Sequence, residues 1–164
     1  MSAVETKLTK NQFIPFIDTS DTVNSGSSWA PSWKRIDYST IFSLNPAPQT
    51  TSKDYICFES AVEEIDSYKP ELPQEIALYE GNPVYDFMFE KFYGLALGAN
   101  MRVPALICFG GTAKKAWQVK EATVTLGELN TVDGKLSFTL NLGGTIDRGT
   151  YTISEGAPSF SAAS

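Results

Sequence analysis

A chain of 164 residues with 13 Lys+Arg against 19 Asp+Glu, no His, two Cys and 42% hydrophobic residues suits one domain, and at this length about two thirds of the unfolded surface can be buried. The formal charge of −6 argues against a general nucleic-acid-binding surface, which needs clustered Lys and Arg to neutralise phosphates. The lack of His excludes Ser-His-Asp and Cys-His nucleophilic machinery and nearly all zinc enzymes, and two Cys are too few for a disulfide-framed module.

The first residues, MSAVETKLTKNQF, hold no apolar core of a signal peptide, and the longest apolar run, at 103–109, is far too short to cross a bilayer. These features predict a soluble protein made in a cytoplasm, without membrane insertion. Residues 1–30 form an N-terminal arm or loop, rich in Ser, Thr, Gly and Pro from 18 onward. Residues 33–44 read as a strand, with Ile36, Tyr38, Thr40 and Phe42 on one side. The prolines of NPAP at 45–48 end it, because Pro cannot donate to a strand ladder.

Residues 45–72 are polar and acidic, with one short strand at 55–58 as the most that regular structure claims there. A connection this long in a compact domain is usually functional. It still holds Tyr55, Ile56, Phe58, Val62 and Ile65, which need something to bury them. Between Asp54 and Glu90 lie ten of the nineteen acids and a single base, Lys69. A chain so divided, acidic in one segment and mildly basic elsewhere, is able to attract copies of itself.

One helix is well signalled over 82–97. Asn82 suits the N-cap, Pro83 the first helical position and Gly98 the left-handed position after the end. Its residues are apolar on more than one side, whereas a surface helix of a monomer keeps a wide polar face. Phe89 and Phe92 are therefore candidates for subunit contact as well as for packing on the domain.

The second half reads as β. Residues 102–109 form a strand, and 115–126 a long one with a parity switch near Glu121 that predicts a bulge. Asp133-Gly134 marks a tight hairpin, residues 135–142 alternate cleanly, and 150–154 form a final strand. Residues 155–164 are small and polar and predict a loose tail. Cys57 and Cys108, inside YICF and LICF, read as buried strand thiols.

No motif carries chemistry. GGTAKK at 110–115 lacks the spacing of a phosphate-binding loop. Glu63, Glu64, Asp66, Glu71 and Glu75 offer carboxylates for a small glycosidase, and Trp29, Trp33 and Trp117 offer rings for a carbohydrate-binding adhesion module. Both readings stand as alternatives.

The ordered set WKRID at 33–37, NP at 45–46, DYI at 54–56, SYKPE at 67–71, YEGNPVYDF at 79–87, KAWQVKEATV at 115–124 and GTYT at 149–152 resembles the major tail proteins, or tail tube proteins, of siphophages that infect Gram-positive bacteria. The resemblance implies a mainly β, single-domain subunit over 1–154, a β-sandwich or rolled sheet with one packed α-helix. Its inner strands would form a shared barrel in a hexameric ring. It implies stacked rings that conduct DNA to the host cell, and 45–72 as the loop between rings. Its partners would be further copies of itself, a tape measure protein and tail terminator or baseplate proteins, with DNA passing unbound. It implies a virion tail assembled in the host bacterial cytoplasm, with neither enzyme activity nor cofactor. Tube proteins of phage-derived injection devices share these traits. A DNA conduit needs acids on its wall, because a basic lumen would hold the duplex. Glu121 and Glu128, on the long strands, are the lumen candidates.

Overall fold

A computed structural model describes residues 5–25, 28–39 and 42–163. Among them are eleven strands and one α-helix, in the order β1 (Ile14–Asp18), β2 (Trp33–Arg35), β3 (Pro48–Lys53), β4 (Val62–Tyr68), β5 (Glu71–Ala77), α1 (Pro83–Tyr93), β6 (Ala105–Cys108), β7 (Lys115–Val119), β8 (Thr123–Asn130), β9 (Lys135–Asn141), β10 (Ile146–Ser154) and β11 (Ala157–Ala162). The fold is mainly β, as the sequence predicts.

All strand pairs are antiparallel. A six-stranded sheet runs β11-β10-β7-β6-β1-β2, a three-stranded sheet β5-β9-β8, and β3 pairs only with β4. The larger sheet is apolar on both faces. From neighbouring positions, Ile17 and Ile107 point into the main core while Phe16 and Leu106 point the other way. The main core lies between the two sheets, where Leu72, Ile76, Leu136, Phe138 and Leu140 meet Ala105, Ile107 and Val119, and Val84 and Met88 of α1 close it. The second core gathers Phe16, Leu106, Cys108 and Tyr151, with Trp33 of β2 and Phe160 of β11 packed on it. The two outermost strands of the sheet thus approach each other, so the sheet is rolled.

Several sequence-derived elements differ in the fold. Residues 115–126 are two strands in two sheets, joined by a turn at Lys120-Glu121. The parity switch marks this crossing between sheets, with Ala122 buried beside Val103, whose N–H donates to Ala122 O over 2.8 Å. The predicted strand 33–44 shortens to β2 and bends at Tyr38 (φ 60°), whose O accepts from Ala77 N–H of β5; among the described residues an isolated bridge at Ser39, and another at Asn45 just beyond, join the chain here to β5. Thr40 lies outside the described residues.

The tail is ordered as β11, not loose. Glu155 and Gly156 both have positive φ (53° and 80°), the backbone of a tight hairpin turn, and β11 pairs with β10 from Ser154↔Ala157 to Gly149↔Ala162. Gly149 admits this pairing: a Cβ there would lie 2.0 Å from Ser161 O.

Helix α1 begins as predicted, with the Asn82 side chain accepting from the N–H groups of Val84 and Tyr85 and Pro83 at the first position. It ends at Tyr93, four residues early. Gly94 caps it, and Leu95 takes the left-handed conformation just after the end (φ 48°), its N–H donating to Phe92 O while that of Ala96 reaches Lys91 O; Gly98 is left-handed too (φ 60°), but it opens the separate short turn Gly98–Met101.

Candidate functional site

The largest departure from the predicted elements is at 45–72. The segment is not an irregular loop. Residues β3 and β4 form a two-stranded ribbon, from Pro48↔Tyr68 to Lys53↔Val62, with a register shift at Gln49/Thr50. Residues 55–58 are not a strand; they turn at the tip. The ribbon is exposed along all of β3 and almost all of β4, so it has no buried face. Its root is clamped to β5 by reciprocal backbone bonds, Asn45 N–H to Glu71 O (3.0 Å) and Glu71 N–H to Asn45 O (2.8 Å). A ribbon anchored at one end and covered on neither side is an arm.

The arm carries the apolar residues singled out from sequence, and carries them into solvent. Ile56 is fully exposed and Tyr55, Phe58 and Ile65 are exposed, while Val62 is half-buried. Tyr55 and Phe58 meet edge to face, centroids 6.1 Å apart, so the tip is a small apolar knob. Cys57 sits in it and is exposed, contrary to its reading as a buried strand thiol; Cys108 is buried as read. A short apolar run looks alike in a strand and at a loop tip, which is why sequence did not separate the two. Acids flank the knob. Along the ribbon Lys53 pairs with Glu64 (2.9 Å) and the Thr51 hydroxyl donates to Asp66. The pair is half-exposed and stabilises by no more than about 1 kcal/mol.

A second exposed surface follows α1. Phe92 packs on the main core. Phe89, half-buried and outside both cores, instead stacks between Tyr85 (5.9 Å), which itself packs on the main core, and the exposed Tyr93 (6.1 Å). Tyr93, Leu95 and Leu97 continue this surface at more than 70% exposure each. Beneath the helix, Lys91 is buried, its Nζ donating to Asn100 O over 2.5 Å and lying 4.8 Å from the Phe87 ring centre. Burial lowers its pKa, and the charge of Asp21 partly offsets that. Sequence reasoning passed over Lys91, since a lone cation between aromatic residues carries no periodic signal.

The lumen candidates fall on different elements. Glu121 is in the turn between β7 and β8, its carboxylate over the Gly144 backbone, where an added Cβ would meet Oε2 at 2.0 Å. Glu128 is on β8, an edge strand, where its N–H donates to Ser137 Oγ over 2.9 Å. Both side chains are exposed.

The tryptophans do not share a platform. Trp29 and Trp33 meet at 90°, centroids 6.0 Å apart, and Trp117 packs edge-on against Phe109 instead. Trp29 is held by Asp18, a buried carboxylate that also accepts from the N–H groups of Ser20 and Ser32. The carboxylates proposed for sugar hydrolysis lie along β4 and β5, with Glu75 beside Lys135 (3.5 Å) and Glu64 beside Lys53.

No family model matches the sequence and no curated protein does. Solved structures do match in fold. A chain of the cryo-EM structure of the anti-feeding prophage baseplate, six-fold symmetrised, superposes with TM-score 0.51 at 12% identity, over 92% of this chain and 98% of its own. A chain of an extracellular contractile injection system, in the PVC sheath/tube terminator structure in its extended state, gives 0.54 at 11%, over 90% and 100%. A chain of the anti-feeding prophage tube-terminating cap gives 0.53 at 13%, over 92% and 95%. The likeness is one of fold: this chain has a tail-tube-like fold, shared with chains of contractile injection systems.

Proposed function

We propose that this chain is a structural, non-enzymatic subunit of a phage-like tail, which polymerises with copies of itself into rings and a tube. The observation that carries this reading is the β3–β4 arm, a ribbon exposed on both faces and tipped with Tyr55, Ile56 and Phe58, on a domain of tail-tube-like fold. A monomer gains nothing from holding such a ribbon in water, because two-stranded ribbons are marginal alone and exposed strand edges invite pairing. A neighbouring copy would cover it. In this reading 45–72 bridges successive rings, the Phe89 surface of α1 meets a neighbour within a ring, and Glu121 and Glu128 face the channel through which DNA passes. The siphophage major tail protein is the finer form of the proposal, from the sequence resemblance, with a tape measure protein and terminator or baseplate proteins as further partners.

A second reading is a terminator or cap that closes a tube. It is favoured by the solved structures of like fold, two of which depict a terminator and a cap. Negative-stain microscopy and analytical ultracentrifugation of concentrated protein separate the two. A tube subunit forms stacked rings that lengthen with concentration, and a cap stops at a single ring. A strict monomer at millimolar concentration overturns both.

A further inference from the structure

Open grooves among the described residues include two of contrasting charge. One, of about 800 Å³, lies beside α1 and is rimmed by Glu80, Asp86 and Glu90. The other, of about 520 Å³, lies where β7 meets β10 and is lined by Phe109, Ala113, Lys115, Trp117, Arg148 and Thr150. Register places Arg148 opposite Trp117 and Thr150 opposite Lys115. Phe109 and Trp117 form an edge-to-face floor (5.1 Å, 79°), and the Arg148 guanidinium lies 6.0 Å from the Trp117 ring. Among the described residues, neither Lys115 nor Arg148 has a carboxylate within ion-pair distance. This groove therefore pairs an aromatic floor with two available cations, the chemistry that dominates binding hot spots.

The arm tip is its chemical complement. It presents the apolar Tyr55, Ile56 and Phe58, flanked by the exposed acids Asp54 and Glu59. The groove beside α1 has an acidic rim and would repel those flanks, so charge selects the β7–β10 groove. Resting on the self-assembly reading above, we propose that the arm tip of one copy seats in the β7–β10 groove of a second copy, Ile56 against Phe109 and Trp117, with Asp54 and Glu59 meeting Lys115 and Arg148. Tip and groove are different parts of the chain, so the contact is head to tail. Each copy offers a free groove after its tip is engaged, and the contact propagates. The six residues of β3 carry the tip up to roughly 20 Å from the arm's root, far enough to leave its own subunit.

Cys57 makes the contact testable, because it sits in the tip and is exposed while Cys108 is buried. In the full chain, Ala113→Cys places a thiol in the β7–β10 groove, and Glu90→Cys places one on the rim of the groove beside α1. Mild oxidation of assembled protein should join Cys57 to the Ala113→Cys site of a different chain, read by non-reducing electrophoresis and peptide mass spectrometry, and should leave Glu90→Cys unjoined. In parallel, Arg148→Glu should raise the concentration needed for assembly at least tenfold at low salt, and Glu59→Lys added to it should recover most of the loss, with circular dichroism unchanged in both. A disulfide to Glu90→Cys, a disulfide within one chain, or unchanged assembly of Arg148→Glu overturns the contact while leaving self-assembly intact. A wild-type protein that never assembles removes the self-assembly reading, and this contact with it.

Discussion

The indole nitrogen of Trp29 donates to Asp18 Oδ2 over 2.8 Å, and through that bond the end of β1 holds the Ser-rich segment that follows it. Asp18 is 1% exposed and accepts two backbone N–H groups as well, from Ser20 (2.8 Å) and Ser32 (2.9 Å). Residues read from sequence as a flexible loop are thus tied to a buried carboxylate. Asp18→Ala should leave three donors without their acceptor and destabilise the fold by about 2–4 kcal/mol. Asp18→Asn, which keeps one acceptor oxygen, should cost less. Urea unfolding followed by Trp fluorescence measures both.

Removal of the arm should spare the fold. Replacing residues 50–65 with a two-residue Asn-Gly turn takes away no member of either core. The shortened chain should unfold within about 1 kcal/mol of the parent, since surface changes away from special features cost little. It should also fail to form rings or tubes by electron microscopy. Loss of the fold on shortening would place the arm among the elements that the domain needs.

Phe89 and Phe92 should part ways. Phe92 packs on the main core, so Phe92→Asp buries a charge without a partner and should cost about 3 kcal/mol or more. Phe89 stacks between Tyr85 and Tyr93 and belongs to neither core, so Phe89→Asp should cost the fold much less than Phe92→Asp while weakening assembly. Equal loss of fold in both variants would show that this helix serves its own subunit alone.

Glu121→Lys with Glu128→Lys tests the proposed lumen. Cations facing the channel should slow DNA ejection from tails of normal appearance, most at low salt, where screening is weakest. Ejection at the parental rate in low salt would place both side chains away from the channel.

The two thiols should differ sharply. Cys57 is exposed and should react with a thiol reagent at pH 8 within minutes, whereas Cys108 should react only on unfolding. Burial pushes the Cys108 thiol up from 9.0 to about 12. The folded state therefore holds this proton more tightly than the unfolded one. Its contribution to stability is complete below pH 9 and is lost as pH rises from 9 toward 12. Burial raises the Tyr151 pKa too, so it acts in the same direction. Urea midpoints across pH 8–11 should fall, and Cys108→Ala, though less stable at pH 8, should show a shallower fall.

Local chemistry decided what sequence alone determined. Asn82-Pro83 opens α1 because a side-chain cap and a preset φ act within one turn of backbone. Asp133-Gly134 turns β8 into β9 because Gly134 accepts φ 68°, and β9 alternates because Leu136, Phe138 and Leu140 share one buried face. The mainly β class and the apolar surplus of 82–97 follow from the same short-range patterns. Tertiary structure decided the rest. Residues 115–126 belong to two sheets because pairing with β6 and β10 on one side, and with β9 on the other, chooses the partners; a parity switch cannot tell a bulge from that crossing. The arm escaped notice because a ribbon with no buried face has no alternation to read. The tail is a strand because β10 offers an edge and Gly149 leaves room for it. The apolar runs around Cys57 and Cys108 look alike in sequence, yet one tips an arm and the other lines a core, because burial depends on what the remaining chain brings to each.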